Sequence, residues 1–546
     1  MHGLMQDVPL LVSSLIAHAA RHHGDVEIVS RRVEGDIHRT TYRELHARAR
    51  QLANALEAMG IGEGDRVATL AWNGYRHMEL YYAVAGKGAV VHTINPRLVP
   101  DQIAWIVNHA EDRALFFDLS FVPILEKIAP QCKTVRHFVA MTDRGHMPAT
   151  QSIPNLRCYE DLVAAQDADY DWPRLDENLA SSICYTSGTT GHPKGVLYSH
   201  RSTILHTFAA ALPDTLNLSS CDVLLPVVPM FHVNAWGLPY TGAMVGSKLV
   251  FPGAALDGKS LYELIEQEKV SLSAGVPTVW QGLLNYMDQN GLKFSTMRRT
   301  IIGGAALPPA MMRAFEEKHG VIALHAWGMT ELSPLGTACA MRAKHGDFSR
   351  DALHAVKAKQ GRAPFGIDMK IVDPMGNELP WDGKTFGDLY VRGPWVVKQY
   401  FREQGEGALV RDEHGVDWFP TGDVATIDAD GYMHITDRSK DVIKSGGEWI
   451  SSIEIENIAV AHPGVAMAAC IGVAHPKWDE RPLLVVVRKG GSDVTREQLL
   501  KFYEGRVAKW QTPDDVAFVD AIPMGATGKM LKNKLREQFK DYKLPA

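Results

Sequence analysis

Apolar residues along the chain follow two spacings, one typical of amphipathic helices and one of short buried strands. From Thr41 to Gly60 they recur every three or four positions, Thr41 and Glu44 form a capping-box pair, and Gly60 closes the pattern. This pattern predicts a helix. Short apolar runs with amphipathic stretches between them predict buried strands and intervening helices. The strands are expected at Val67–Trp72, Ala89–Ile94, Ala114–Phe117, Ser182–Tyr185, Val223–Val228, Thr300–Ile302 and Val321–Leu324, and the helices at Lys259–Glu268 and Pro308–His319.

The alternation of strands and helices predicts a large α/β architecture with mostly parallel sheets. From about Lys370 the pattern changes to strands and turns. There Val424–Asp428 and Tyr432–Thr436 form a hairpin pattern through Asp430-Gly431. A smaller, β-rich layer is therefore expected beside the parallel sheets.

A new α+β unit is predicted after Asp437. Its expected elements are strands at Met467–Val473 and Leu483–Val487, a helix from Thr495 to Trp510, and a last helix after Gly528. The charged residues 437–441 separate the two patterns, so we expect an N-terminal domain over 1–437 and a smaller C-terminal domain over 438–546.

Composition and charge exclude several classes of protein. The chain has 546 residues, 46% of them hydrophobic and 22% charged, which is typical of a soluble globular protein with several domains. Its net charge of −6 and the lack of a basic stripe argue against nucleic acid as a partner. The apolar stretch 223–251 is interrupted by prolines, histidine, asparagine and lysine, which favours buried core and no integral membrane segment.

The cysteines and the chain ends bear on location. Six scattered cysteines without a C-x-x-C pair fit neither a zinc site nor a disulfide framework. The first residues lack a secretory signal and the last are not a peroxisomal address. We therefore expect a cytoplasmic protein.

The most informative stretch is Tyr185–Val196, which follows a predicted strand. It combines glycines and hydroxyl side chains with one lysine, Lys194, so that its N–H groups, hydroxyls and ammonium can surround a phosphate chain. Pro193 precedes the lysine, so the pattern is not a Walker A loop.

This stretch resembles the phosphate-binding signature of the adenylate-forming enzymes, which include acyl-CoA synthetases, nonribosomal-peptide adenylation domains and luciferases. Further motifs of that superfamily follow in order along nearly the whole chain: Pro229–His232, Gly303–Ala306, Ala326–Glu331, Gly387–Gly393, Phe419–Asp423, Asp437–Asp441 and Thr527–Lys529. The chain looks most similar to bacterial medium- and long-chain fatty acid–CoA ligases, a group that includes methylthiopropionate–CoA ligases.

The resemblance implies an enzyme, an AMP-forming acid–thiol ligase with two half-reactions. A small-molecule carboxylic acid attacks the α-phosphate of ATP to give an acyl-adenylate and pyrophosphate, and the CoA thiol then displaces AMP. The implied cofactors are ATP, Mg²⁺ and CoA, with Glu331 and Thr186 as metal-binding oxygens. A homodimer is the commonest oligomer for such an enzyme.

The resemblance also implies which residues hold the nucleotide. Asp423 matches a carboxylate that binds the ribose hydroxyls, Arg438 reaches the ribose or the α-phosphate, and Trp327 lies by the adenine slot. The full set implied for ATP and AMP comprises Thr186, Ser187, Gly188, Thr189, Thr190, Gly191, Lys194, Gly304, Ala305, Ala306, His325, Ala326, Trp327, Gly328, Met329, Thr330, Asp423 and Arg438.

The resemblance places His232, Trp236, Gly303, Gly328 and Pro334 on the wall of an acyl pocket. In the acetate-specific branch a bulky aromatic residue closes the tunnel at the position of Gly328, so this pocket should admit acids longer than acetate. Trp236 narrows it, which favours short to medium chains. His232 either gates the pocket or is a satisfied core histidine.

The C-terminal domain should carry the residues that change between half-reactions. The resemblance implies that Lys529 promotes adenylation electrostatically, together with Glu331 and Thr186 as catalytic residues, and that Lys440 is the hinge. Rotation about this hinge would withdraw Lys529 and bring CoA-binding residues to the site. Those residues are Lys444, Gly446, Gly447, Glu448, Trp449, Trp478 and Glu480.

Two alternatives remain open from the sequence. One is a free-standing adenylation enzyme that loads a carrier protein. The other is a catalytically silent nucleotide binder, which the presence of Lys194, Glu331, Asp423, Arg438 and Lys529 makes less favourable. Pyrophosphate release with a panel of acids, with and without CoA, distinguishes these alternatives from an acyl-CoA ligase.

Overall fold

Two large sheets form the first part of the protein. The computed structural model describes residues 1, 3–186, 192–403, 407–446, 448–525 and 530–545. One sheet has seven strands. Neighbouring strands are parallel, except that Gly195–Ser199 runs antiparallel to Ala180–Tyr185. In spatial order the strands are Leu156–Cys158, His137–Ala140, Asp112–Phe117, Arg66–Leu70, Val90–Thr93, Ala180–Tyr185 and Gly195–Ser199.

The second large sheet has eight strands and is parallel in its centre, with one antiparallel pair at each edge. In spatial order the strands are Leu335–Ala338, Ile322–Gly328, Arg299–Ile302, Leu272–Gly275, Val223–Pro226, Lys248–Phe251, Glu27–Arg31 and Ile37–Thr41. Each predicted strand of the α/β part is present, with small differences at the ends.

A third sheet is antiparallel and matches the predicted β-rich layer. Its strands are Asp368–Val372, Phe386–Arg392, Asp417–Ile427 and Val410–Arg411, with Met433–Arg438 added to Asp417–Ile427. The last pairing is the predicted hairpin, in which Thr426 lies opposite His434. A sharp turn suits Gly431, whose φ is 81°.

The C-terminal unit is built on a fourth sheet. Its strands are Glu448–Ile450, Ile443–Ser445, Asp479–Arg488 and Val465–His475, and Asp515–Phe518 runs parallel to Asp479–Arg488. The strand Met433–Arg438 belongs to the third sheet and Ile443–Ser445 to the fourth. The short connection between them coincides with the predicted domain boundary, which remains a prediction.

Helices cover the sheets. The predicted capping box is present at the start of the helix Tyr42–Ala58, where Thr41 Oγ1 accepts from the Glu44 N–H at 3.3 Å. The helices are Val12–His22, Tyr42–Ala58, Tyr75–Gly86, Pro100–Ala110, Val122–Ile128, Tyr159–Ala164, His200–Ala211, Leu238–Val245, Gly258–Glu268, Pro277–Asn290, Pro309–Arg313, Arg350–Lys357, Ser452–Val460, Arg496–Phe502 and Lys532–Gln538. A π-helical turn, Ala314–Lys318, extends the helix that begins at Pro309.

One predicted helix was too long. The helix expected over Thr495–Trp510 ends at Phe502 and is followed by turns and the 3₁₀ turn Lys509–Gln511. Gly505 explains the difference, because its φ of 73° leaves the right-handed helical region.

The buried core lies between the sheets and their helices. Its largest cluster joins helices such as Tyr75–Gly86 to strands of both large sheets. The apolar residues of 223–251 are mostly buried here, as predicted. Among the described residues, no helix combines the length and apolar character needed to cross a bilayer. The predicted fold class, a large α/β N-terminal part with a β-rich layer and a small α+β C-terminal part, is confirmed.

Candidate active site

A cavity of about 770 Å³ brings most of the predicted site residues together. Residues of the eight-stranded sheet, of segments that follow or join strands of the seven-stranded sheet, and of the C-terminal unit line it. The predicted residues on its wall are Thr186, Lys194, His232, Trp236, Gly303, Gly304, Ala326, Trp327, Gly328, Met329, Thr330, Glu331, Pro334, Arg438 and Lys440. The predicted residues Ser187, Gly188, Thr189, Thr190 and Gly191 lie outside the described part of the chain.

Asp423 lies buried behind the cavity wall and fixes two residues that line it. Its Oδ2 accepts from Trp327 Nε1 at 3.0 Å, and its Oδ1 lies 2.7 Å from Arg438 Nε. The hairpin register creates this geometry, because Asp423 on one strand lies opposite Arg438 on the next. The carboxylate therefore holds an indole and a guanidinium at the same end of the cavity.

Glu331 begins a second polar group, at the end of the strand Ile322–Gly328. It belongs to the 3₁₀ turn Thr330–Leu332, and its Oε1 accepts from the Tyr400 hydroxyl at 2.9 Å. Tyr198 holds the turn, because its hydroxyl donates to the Thr330 carbonyl at 2.7 Å. A buried carboxylate thus has a fixed position on the cavity wall.

Lys194 and Thr186 face each other at the base of the glycine-rich loop. Thr186 N–H donates to the Lys194 carbonyl at 2.9 Å, and Lys194 N–H donates to Thr186 Oγ1 at 3.2 Å. The Lys194 ammonium lies 3.0 Å from Glu403 Oε1 and 4.6 Å from the centre of the Tyr400 ring. The lysine therefore belongs to the same polar group as Glu331, through Tyr400.

The donors present suit a divalent cation held together with phosphate oxygens. Glu331 supplies one carboxylate and Thr186 one hydroxyl, and both line the cavity. Within the described residues there is no cluster of three or more histidine, cysteine or acidic side chains that could hold a metal without a ligand. Magnesium typically takes one or two carboxylates plus substrate phosphates, so the residues fit it.

His325 is a predicted nucleotide residue whose side chain lies behind the wall. Its Nε2 accepts from the Leu307 N–H at 3.3 Å, and its Nδ1 lies 3.1 Å from the Ala358 carbonyl. These partners require a neutral ring, and burial lowers its pKa to about 4. Through Leu307, His325 thus holds the turn that follows Gly304. Ala305 and Ala306 belong to that turn but are not among the residues that line the cavity.

Trp236 is positioned by a left-handed turn. Val233, Asn234, Ala235 and Trp236 have φ values of 47°, 51°, 51° and 58°. Each non-glycine residue in this region costs roughly 1–2 kcal/mol, so the surrounding contacts must hold the turn. Asn234 provides one of them, since its Nδ2 donates to Ser182 Oγ at 3.0 Å. The indole then lies against Gly303, where an added Cβ would come 3.3 Å from its Cη2.

Gly328 lines the cavity as predicted, but its missing side chain has another explanation. A Cβ at this position would lie 1.9 Å from the Pro334 carbonyl oxygen. Any side chain would therefore require a shift of the main chain around Pro334. The absent side chain at Gly328 therefore follows from this close backbone approach, and Trp236 and Pro334 also lie on the cavity wall.

The C-terminal unit closes the cavity from the side of the predicted hinge. Lys440 lines it, and so do Gly525 and Met530. Lys529 is outside the described residues, but the described residues on both sides of its segment lie on the cavity wall. The role of Lys529 in adenylation stays a prediction.

The predicted CoA-binding residues come together on the fourth sheet, away from the cavity. Lys444 N–H donates to Glu480 Oε2 at 3.0 Å, and Gly446 N–H donates to the Trp478 carbonyl at 2.8 Å. The Trp449 ring lies 5.2 Å from that of Phe386. Among the described members of this set, none lines the cavity. Gly447 and the side chain of Glu448 lie outside the described part.

Several polar residues that line or adjoin the cavity were not selected as site residues from the sequence, among them Arg97, Gln102, His192, Tyr400 and Glu403. The His192 ring stacks on Trp105 with centroids 4.3 Å apart. Arg97 lies with its guanidinium 5.8 Å from the Phe231 ring centre, and burial lowers its pKa. His192 could have been selected from the sequence, because it lies in the same motif as Lys194. The other residues lie outside the motifs in the sequence and come close to the site only in the folded chain.

Comparison with known proteins identifies the family. The family model for AMP-binding enzymes matches residues 16–401, and that for the AMP-binding enzyme C-terminal domain matches residues 454–529. The chain belongs to the AMP-binding enzyme family. The resemblance to adenylate-forming enzymes is thereby confirmed.

Individual relatives cover the whole chain. The 3-methylmercaptopropionyl-CoA ligase of Ruegeria lacuscaerulensis is 56% identical over 541 residues, 99% of each chain. The medium-chain-fatty-acid–CoA ligase of Ectopseudomonas oleovorans is 52% identical and covers 100% of this chain and 98% of its own. The ATP-bound structure of MatB from Rhodopseudomonas palustris has a TM-score of 0.80 at 28% identity, with 97% and 100% of the chains covered. The prediction of an AMP-forming acyl-CoA ligase is confirmed.

Proposed function

We propose that this protein converts a short- to medium-chain carboxylic acid to its CoA thioester through an acyl-adenylate formed in the described cavity. The observation that carries the proposal is the lining of that cavity. It combines Arg438 and Trp327, both fixed by Asp423, with the apolar surface of Trp236, Pro334 and Gly303. This mixed lining supports binding of a nucleotide and an acyl group in one space.

In the first half-reaction a carboxylate oxygen bonds to the α-phosphorus and the bond to pyrophosphate breaks. Both reactants are anions, so cationic groups are needed where they meet. Arg438 and Lys194 supply charge on the cavity wall, and Lys529 is proposed to bridge the carboxylate and the α-phosphate. Asp423 lies behind the cavity wall, so it acts on the nucleotide through Trp327 and Arg438, which it keeps oriented.

Glu331 and Thr186 are proposed to hold Mg²⁺ together with the nucleotide phosphates. When bound, the cation would neutralise phosphate charge and favour departure of pyrophosphate. The Tyr400 hydroxyl donates to Glu331 Oε1 and so helps to fix the carboxylate on the cavity wall.

The acyl wall supports a short- to medium-chain substrate, and 3-(methylthio)propionate is a candidate. Trp236 occupies the wall next to Gly303 and limits the depth of the space beside the reacting carboxylate. The relative from Ruegeria lacuscaerulensis acts on 3-methylmercaptopropionate by its name, and the one from Ectopseudomonas oleovorans on medium-chain fatty acids.

In the second half-reaction the CoA sulfur bonds to the acyl carbon and AMP leaves. The proposed CoA residues around Lys444 and Trp449 now lie off the cavity, which supports a rotation of the C-terminal unit about Lys440 between the steps. We further propose that the enzyme acts in the cytoplasm and as a homodimer.

A thioester-formation assay across acids of two to sixteen carbons, with 3-(methylthio)propionate included, tests this function. We expect AMP, pyrophosphate and acyl-CoA in equal amounts, with the highest kcat/KM at short to medium chain length. Production of ADP, or no thioester with any acid, would contradict the proposal. Loading of a carrier protein without CoA would instead support the adenylation-enzyme alternative.

Trp236→Ala examines the acyl wall in the same assay. Removal of the indole opens space beside Gly303, so kcat/KM should move toward longer acids by about tenfold relative to butyrate. Trp381→Ala is the matched control, because Trp381 is an exposed indole outside the cavity. An equal change for all chain lengths would argue against an acyl role for Trp236.

A further inference from the structure

The segment 395–403 connects the glycine-rich loop to the turn that carries Glu331, and we call it the strap. Trp395 Nε1 donates to the Leu335 carbonyl at 2.9 Å. Val397 N–H donates to the Glu331 carbonyl at 2.7 Å, and Phe401 N–H donates to the Gly195 carbonyl at 2.8 Å. The strap is thus hydrogen-bonded to the main chain on both sides of the phosphate end of the cavity.

Tyr400 is the strap residue that contacts both polar side chains of that end. Its hydroxyl donates to Glu331 Oε1 at 2.9 Å, and its ring lies 4.6 Å from the Lys194 ammonium. The ring packs against the cluster of Cys184, Val196 and Tyr198, which holds it in place.

Glu403 is the strap residue that pairs with Lys194. Its two carboxylate oxygens lie 3.0 and 3.3 Å from the Lys194 ammonium. Side chains of the pair are 49% and 48% exposed, so the bond is weak and easily exchanged. A phosphate chain that approaches Lys194 meets an ammonium that is already paired, and it must compete with this carboxylate.

We propose that the strap adjusts the phosphate end of the site through two residues: Glu403 is an internal counter-ion of Lys194 that the nucleotide phosphates displace, and Tyr400 is a positioning residue that holds Glu331. Glu403 therefore lowers the affinity for ATP in the free enzyme. Tyr400 fixes the Glu331 carboxylate before a metal–nucleotide ligand binds, so binding loses less side-chain entropy. The inference rests on the proposed function, which assigns Lys194 to the phosphates and Glu331 to the metal.

ATP binding to Glu403→Gln in the full-length protein tests the counter-ion. Calorimetry with ATP in EDTA and low salt should give a Kd about two- to fivefold lower than in the native enzyme. The gain should decrease toward 0.5 M NaCl because salt screens exposed pairs. Glu263→Gln is the matched control, since Glu263 pairs with Lys259 on an exposed helix. An unchanged or higher Kd for Glu403→Gln would overturn the proposal.

The same substitution in a Lys194→Gln background separates this inference from the proposed function. Lys194→Gln should weaken ATP binding, and adding Glu403→Gln should then change nothing, because the pair no longer exists. A gain that persists without Lys194 would overturn the counter-ion. If Lys194→Gln leaves ATP binding unchanged, the assignment of Lys194 to phosphate fails, and the counter-ion fails with it.

Tyr400→Phe tests the positioning role, because it keeps the ring over Lys194 and removes the hydroxyl. We expect the Mg²⁺ concentration for half-maximal ATP binding to rise about three- to tenfold, with ATP binding in EDTA unchanged. Tyr262→Phe is the control, since its hydroxyl donates to the Lys293 carbonyl at an exposed position. An unchanged Mg²⁺ requirement, or equal loss with and without Mg²⁺, would contradict the role.

Discussion

Asp423 illustrates how one side chain organises the nucleotide end of the cavity. Its carboxylate is almost fully buried and accepts from Trp327 Nε1 while it pairs with Arg438. A buried donor that loses its acceptor still pays the free-energy cost of leaving water. Trp327 and Arg438 therefore both depend on the Asp423 carboxylate. The adjacent residues Trp327 and Arg438 line the cavity, whereas Asp423 reaches it through them.

Asp423→Ala should therefore weaken ATP binding. We expect the KM for ATP to rise about 10- to 100-fold, because the indole and guanidinium that line the cavity lose their common partner. Initial rates at saturating acid and CoA measure the effect. Asp417→Ala is the matched control, since Asp417 is on the same strand but pairs with exposed Arg411. Equal KM values for the two variants would contradict the role of Asp423.

At the scale of elements, the turn between the strands Ile322–Gly328 and Leu335–Ala338 depends on glycine. An added Cβ at Gly328 would meet the Pro334 carbonyl oxygen at 1.9 Å. Gly328→Ala should therefore lower the free energy of unfolding by about 2 kcal/mol or more and lower kcat/KM for all chain lengths alike. Thermal melts and the acid series measure both.

Gly282→Ala serves as the control for Gly328→Ala. Gly282 lies within the helix Pro277–Asn290, where an added Cβ has no neighbour within 4 Å. Alanine is the better helix former by roughly 1 kcal/mol, so this variant should be slightly more stable than the native enzyme. A Gly328→Ala variant that melts at the native temperature but discriminates against long acids would show that a side chain at 328 enters the tunnel.

Local patterns predicted most elements, and their failures have physical causes. The capping box at Thr41 and the hairpin through Gly431 act over a few residues, so the sequence is sufficient to predict them. The left-handed turn at Val233–Trp236 runs against the preference of a β-branched residue and is held by distant partners such as Ser182. No local pattern predicts such a turn.

The candidate site follows the same division. Motifs that lie on single loops, such as those of Lys194, Glu331 and Asp423, were identified through the resemblance. Tyr400 was missed because its role depends on a contact with Glu331, 69 residues away in the sequence. The blocked Cβ direction at Gly328 likewise depends on Pro334 across a turn, which a sequence comparison cannot reveal.

At the scale of the whole molecule, buried neutral histidines couple stability to pH. Burial lowers the pKa of His206 to about 3 and that of His200 to about 4. Each accepts a main-chain N–H through a ring nitrogen, from Leu335 and Val12 respectively, which a protonated ring cannot do. The unfolded chain therefore binds more protons than the native one from about pH 6.5 downward, and stability falls as pH falls.

His206→Gln tests this coupling. Its loss of stability between pH 6.5 and 4 should be smaller than that of the native protein, by up to about 1.4 kcal/mol per pH unit. Thermal melts of both proteins should be compared, and the difference between them is the quantity to measure. The comparison is needed because burial raises the pKa of Asp118 to about 7, which makes stability change with pH in the opposite direction in both proteins. His414→Gln, at an exposed site, is the control. Parallel curves for native and His206→Gln would contradict the prediction.

We expect the cavity lined by Lys194 and Glu331, with Asp423 behind its wall, to join a carboxylic acid to AMP before CoA takes part. Exchange of labelled pyrophosphate into ATP, measured with native enzyme in the absence of CoA, tests it most directly. We expect exchange that requires both Mg²⁺ and a short- or medium-chain acid, and that falls about 100-fold or more in Lys529→Ala. Exchange that is absent without CoA, or that proceeds equally well without any acid, would contradict it.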